Sequence, residues 1–187
     1  MAQFFTADTH FGDDPIRRFF YYPFPSAGAV DGAMIERAAV VGPTDDFWIL
    51  GDFAACETDE GRAIATRAFD ALSGRKHLVR GNHDPDWVAK ALPWASVHDL
   101  VEVDAYGQRF VLCHYPLVTW NGVRECAIQL FGHVHTHWRG AESQVNVGVD
   151  QWDFAPVTPR AAALAAMTLP PSDTHMAAEG EDDPGQW

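Results

Sequence analysis

Five short apolar runs in this chain all give way to residues that carry chemistry. QFFTADTH ends on Asp8 and His10, and DDFWILGD on Gly51 and Asp52. KHLVRGNHD ends on Gly81, Asn82, His83 and Asp84, and QRFVLCH on His114. AIQLFGHVH ends on Gly132, His133 and His135. Runs of this length, rich in β-branched and aromatic residues, read as strands. α/β folds gather their sites where strands give way to loops, because there a rigid sheet can aim side chains from several segments at one point. The chain must therefore fold so that these ends can meet. The three glycines suit sharp turns that let backbone and side chains approach a ligand closely. Singly, each piece is bland: Asp-x-His is common on surfaces, Gly-Asp is commonplace, and one histidine in an apolar strand is usually a satisfied core residue. Together and in order they read as one site.

The stretch GHVHTH poses a separate question. In an extended chain, residues two apart face the same side. His133, His135 and His137 could thus be three ligands of one metal, two ligands and a bystander, or surface imidazoles.

Between the strand-like runs, DGAMIERAAVV and ETDEGRAIATRAFDALSG read as helices. The second has acids in its first turn and Gly74 at its end. From His98 onward the texture changes to HDLVEVDAY, QRFVLCHY, AIQLFGH and SQVNVGVD, with little helix between them. A βαβ half followed by a β-rich half predicts an α/β or α+β sandwich. The segment 1–169 reads as the domain. The Pro-, Gly- and acid-rich stretch 170–187 reads as a solvated, flexible tail.

Composition excludes some functions. With 47% hydrophobic residues, 12% of all residues aromatic, the chain is globular rather than disordered. No apolar run approaches the ~20 residues of a membrane helix. The formal net charge of −13 and scattered Lys and Arg disfavour long nucleic acid as a partner. Bound cations could offset part of that charge. Three widely spaced cysteines, Cys56, Cys113 and Cys126, argue against a disulfide framework. With no secretory signal at the start, the expected location is the cytoplasm.

The ordered blocks D-x-H, GD, GNHD, a lone His and GHVH resemble the signature of the calcineurin-like metallophosphoesterases. The resemblance runs from about Phe4 to Pro156. FTADTHFG and NVGVDQWDFAP are similar to a small bacterial and phage group of phosphoesterases or phosphohydrolases, whose members commonly have histidine where this chain has Asp13. The resemblance implies a four-layer αββα sandwich with mixed sheets and a two-metal site. Asp8, His10 and His135 would hold one metal, Asn82, His114 and His133 the other, and Asp52 would bridge them. Only a carboxylate offers two anionic oxygens to span dications about 3.5–4 Å apart. Mixed imidazole and oxygen donors favour Mn2+ first, with Fe, Zn2+ or Ni2+ as alternatives. Hydroxide between the metals would attack phosphorus, His83 would assist the leaving oxygen, and Asp84 would orient the His83 ring. His137 lies beyond the motif.

The expected substrate is a small phosphomonoester or phosphodiester, nucleotide-like compounds included. A nuclease, a nucleotide or lipid pyrophosphatase, and a non-catalytic metal-binding scaffold are the alternatives. The residues after Asp52, Phe53 to Cys56, include no basic group of the kind that protein phosphatases of this superfamily place there. Arg17 and Arg18 could reach a phosphate or form a solvated helix face. Tyr115, Trp120 and Trp152 could stack on a base or lie buried. Nothing in the sequence speaks to oligomeric state.

Overall fold

The computed structural model describes residues 1–54 and 57–179. Cys56 and residues 180–187 of the expected tail lie outside them. The first half contains β1 (Gln3–Thr6), α1 (Asp14–Phe19), α2 (Ala27–Arg37), β2 (Asp46–Ile49), α3 (Asp59–Ala71), β3 (Arg75–Val79), α4 (Asp86–Ala91) and β4 (Ser96–His98). The second contains β5 (Leu100–Ala105), β6 (Gln108–Cys113), β7 (Ile128–Phe131), β8 (Gly140–Ala141), β9 (Gln144–Asn146), α5 (Pro159–Ala166) and α6 (Asp173–Glu179). The helix α6 falls within the stretch read from sequence as tail.

β1 to β4 form a wholly parallel sheet in sequence order. The second sheet, ordered β5-β6-β7-β9-β8, is mixed: β6-β7 and β7-β9 are parallel, while β5-β6 and β8-β9 are antiparallel. Strand alternation sets the layers. Phe47 and Ile49 of β2 turn outward to a core with Met34 of α2 and Phe69 of α3. Trp48 turns the other way and joins Phe5, Leu112, Leu130 and Val145 between the two sheets. On the outer face of the second sheet, Gln129 and Gln144 are buried and bonded to each other and to the carbonyls of Tyr115 and Leu117. These amides fix the 115–117 segment over that face, because buried polar groups need partners. The architecture is an α/β sandwich of two sheets with flanking helices.

Capping marks the helix starts. Asp13, Ser26, Thr58 and Thr158 each accept a hydrogen bond from the N–H three residues on. The free edge of β1 is covered by the segment 147–157. Ala7 pairs with Gly148, and Phe5 exchanges two bonds with Val157. Among the described residues no helix is long and apolar enough to cross a membrane.

Candidate metal centre

The strand ends converge at one edge of the sandwich. Asp8, His10 and His135 bring ligand atoms within 4.8 Å of one another, and so do Asp52, His114 and His133. Asp52 Oδ2 lies 3.6 Å from His10 Nε2 and 3.3 Å from His114 Nε2, so one oxygen faces both groups. Asn82 Oδ1 is 3.1 Å from His114 Nε2. The structure thus brings together all the residues that the sequence singles out as ligands, in two groups that meet at Asp52.

Backbone strain makes this possible. Asp8, His10, Asp52, His133 and His135 have φ of 56, 43, 53, 71 and 48°. Left-handed φ is uncommon for residues with a Cβ, costs on the order of 1–3 kcal/mol each, and clusters at functional sites. Glycines give the room. A Cβ on Gly81 would lie 2.2 Å from Asp52 Oδ1, and one on Gly132 2.6 Å from Asp8 Oδ2. The same geometry resolves GHVHTH. β7 ends at Phe131, and residues His135–His137 form a 3-10 turn. Alternation no longer applies, and His133 and His135 turn to different groups. His137 is exposed, with Nδ1 3.2 Å from the Val134 carbonyl.

The electrostatics call for cations. His114 Nδ1–H donates to the Leu50 carbonyl at 2.8 Å, which leaves Nε2 as a lone pair facing the oxygens of Asp52 and Asn82. His135 Nδ1 is likewise committed to Asp150 Oδ2 at 2.9 Å. Among the described residues, neither nitrogen of buried His10 has a hydrogen-bond partner. Acceptors facing acceptors, and a buried imidazole with nothing to bond, are costly unless a cation lies among them. The donors present therefore fit divalent metals. Burial pushes the Asp8 carboxyl up to about 6, against the pull of His135 and His114. Burial also raises Asp52, but with no cation bound a proton on His114 Nε2, 3.3 Å from Asp52 Oδ2, and the His10 field outweigh it and hold the carboxyl at about 2; a bound cation would take that proton's place.

His83 is exposed, with its ring centroid 5.6 Å from that of His10. Its main-chain N–H donates to Asp52 Oδ1 at 2.8 Å. Asp84 sits between two loops. Its carboxylate accepts from the N–H groups of Asp52 and Gly81, both at 2.9 Å, and of Phe53 at 2.8 Å. It clamps the loops after β2 and β3 together. Asp13 caps α1, and its Oδ2 is 3.7 Å from His10 Nδ1. Arg17 and Arg18 both engage Asp14, and Arg17 also donates to the Phe24 carbonyl. Trp120 is buried against Val111, and Trp152 packs between the sheets. Of the three aromatics, Tyr115 is at the rim, 42% exposed, its ring 4.9 Å from that of His133.

Three residues were not legible from sequence. Phe20 stacks on His135 at 4.1 Å. Asp150 and Tyr22 lie behind the same histidine, the Tyr22 hydroxyl donating to Asp150 Oδ2 at 3.1 Å. One signal was present: Asp150 closes NVGVD, a sixth strand end with a glycine and an acid.

The chain is similar to several known proteins. The family of calcineurin-like phosphoesterases matches residues 3–137, well over half of the chain. The Gene 66 protein of Mycobacterium phage L5 is 27% identical over 151 residues, covering 61% of this chain and 70% of its own length. A protein of unknown function from Aquifex aeolicus superimposes with a TM-score of 0.69 at 26% identity, over 85% of this chain and 96% of that one. An E. coli phosphoesterase, Yfce, aligns with a TM-score of 0.43 at 20% identity, over 79% of this chain and 78% of that one.

Proposed function

Because the chain belongs to the calcineurin-like phosphoesterases, metal-dependent hydrolases of phosphate esters, we propose that it cleaves a small phosphomonoester or phosphodiester in the cleft over Asp52. The observation that carries this is the Asp52 Oδ2 atom, faced by His10 from one group and His114 from the other. Asp8, His10 and His135 would hold one cation, and Asn82, His114 and His133 a second, with Asp52 shared. The donor chemistry favours Mn2+, Fe or Zn2+ over Ca2+, and Mn2+ is our first choice. When bound, the cations would lower the pKa of coordinated water and offset phosphate charge.

The chain's own groups do the rest. Asp84 holds the Gly-Asp and Gly-Asn-His-Asp loops at fixed spacing through three N–H bonds. The exposed His83 ring would give a proton to the leaving oxygen. The charges acting most strongly on Asp8, Asp52 and His133 are histidines and aspartates, with no Lys or Arg among them. Phosphate charge would then be met by the cations and His83. Tyr115 offers an aromatic face to a planar substituent. A net charge of −13 supports a small substrate over a polyanion.

The test is hydrolysis of p-nitrophenyl phosphate and of bis-p-nitrophenyl phosphate by metal-free protein before and after Mn2+ loading. Mn2+-dependent release of nitrophenolate from at least one ester is expected. Asp52→Asn should lower it by at least ~100-fold, because an amide supplies one oxygen and no charge between two dications. A protein that binds two Mn2+ and cleaves neither ester would be a scaffold rather than this enzyme.

A further inference from the structure

Asp150 belongs to none of the five motifs, yet it stands directly behind a ligand. It follows β9, and its side chain is 2% exposed. Oδ2 accepts from His135 Nδ1–H at 2.9 Å and from the Tyr22 hydroxyl at 3.1 Å. Oδ1 is buried and has no hydrogen-bond partner among the described residues, so the carboxylate's charge is only partly compensated. A carboxylate behind an imidazole fixes the tautomer, aims the far nitrogen at the cation and makes it a stronger donor. The ring and its backbone are also clamped. Phe20 stacks on it at an interplanar angle of 20°, and Asn146 Nδ2 and Gln151 Nε2 donate to the His135 carbonyl at 3.0 and 2.7 Å.

The other group is built differently. His114 is backed by a neutral carbonyl, that of Leu50. His133 and Asn82 are exposed, whereas Asp8, His10 and His135 are all buried. Water competes for the exposed donors, and among the described residues no carboxylate backs the His114 ring on its far nitrogen as Asp150 backs His135.

We propose that Asp150, anchored by Tyr22, makes the Asp8–His10–His135 group the tighter of two unequal cation sites, and leaves the Asp52–Asn82–His114–His133 group as the exchangeable one. This rests on the two-cation centre proposed above. One cation is retained, and occupancy of the second follows the free concentration of the metal, which would gate activity.

The test is titration of metal-free protein with Mn2+, with free Mn2+ followed by electron paramagnetic resonance. Wild type should bind in two steps at least about tenfold apart. Asp150→Asn should weaken the tighter step by about 10–100-fold and leave the weaker one in place. Tyr22→Phe keeps the ring and removes only the hydroxyl, so it should weaken the same step by a few-fold and carries the test if Asp150→Asn does not fold. His133→Ala should remove the weaker step alone. Two equal steps in wild type, or a shift of the weaker step in Asp150→Asn, would overturn the proposal. Since the readout is binding, the expected two steps in a protein that hydrolyses no phosphate ester would leave this inference standing and sink the proposed activity.

Discussion

His83 divides its work between main chain and side chain. Its N–H holds Asp52 Oδ1 at 2.8 Å, while its ring is exposed 5.6 Å from His10. His83→Ala removes the ring but keeps the N–H, so the Asp52 loop and the cations should stay in place. On the mechanism proposed above, what is lost is the proton for the leaving group. The rate should fall by about 10²–10⁴-fold for an alkyl phosphate ester and by much less for a p-nitrophenyl ester, whose leaving group hardly needs protonation. Equal losses on both esters would assign His83 to substrate positioning. At this scale the convergence of the candidate ligands was legible because residue type and place at a strand end carry the information. The clamp made by Asp84 was not, because the sequence gives its position but not which N–H groups its two oxygens meet. Asp150 was missed because its link to His135 depends on how the chain after β9 turns back.

The elements were legible in proportion to their length. α3, with an acidic first turn and Gly74 just beyond, and the strands that end at ligands follow directly from pattern. α1 and α4, six residues each, are too short to show a helical period, and only the Asp13 cap and Pro15 mark α1. The loop after β3 shows how tightly elements fix the site. A methyl on Gly81 would meet Asp52 Oδ1 at 2.2 Å and Asp52 N at 2.5 Å. The second contact is backbone and cannot rotate away. Gly81→Ala should therefore cost about 1–3 kcal/mol of stability in urea unfolding and abolish tight metal binding; near-normal metal content would show that the loops can separate without loss of the site. Asp31 on α2 makes the link between helix and metal loop sensitive to pH. Both its oxygens face Gly12 N–H, two residues past His10. Burial pushes its carboxyl up to about 6, with only the Gly12 bond opposing. A raised folded-state value means that the folded chain keeps this proton longer than the unfolded one. That stability is fully present below about pH 4 and is lost as pH rises through 6. Discounted for partial exposure, the change is about 1–2 kcal/mol. Asp31→Asn should gain on wild type by this amount between pH 4 and pH 7 in chelator. A constant difference between the two proteins would assign the carboxyl an ordinary titration.

Across the whole molecule, the α/β sandwich was legible from the change in texture at His98, but the closure of the two halves was not. It depends on Ala7 and Phe5 of β1 pairing with Gly148 and Val157, contacts far apart in sequence that no local pattern announces. The candidate centre sits across the same junction. Asp8, His10, Asp52 and Asn82 follow strands of the first sheet, and His114, His133 and His135 follow strands of the second. Without cations, oxygens and imidazole lone pairs from the two sheets face one another in a chain whose formal net charge is −13. Bound dications would turn that repulsion into a tie between sheets that already share one apolar core. A ligand that binds only the folded state adds about 2.7 kcal/mol per site at a hundred times its Kd. For a chain of this size each kcal/mol is worth about 2–4 °C in Tm. Saturating Mn2+ should therefore raise the Tm by about 5–10 °C per occupied site over protein in chelator. Because both sheets contribute candidate ligands and share the core, scanning calorimetry should show a single transition that moves as a whole. Chelated protein melting in two steps, with only the later one sensitive to metal, would mean that the cations stabilise one half alone. A Tm indifferent to Mn2+ would mean that these side chains do not hold it.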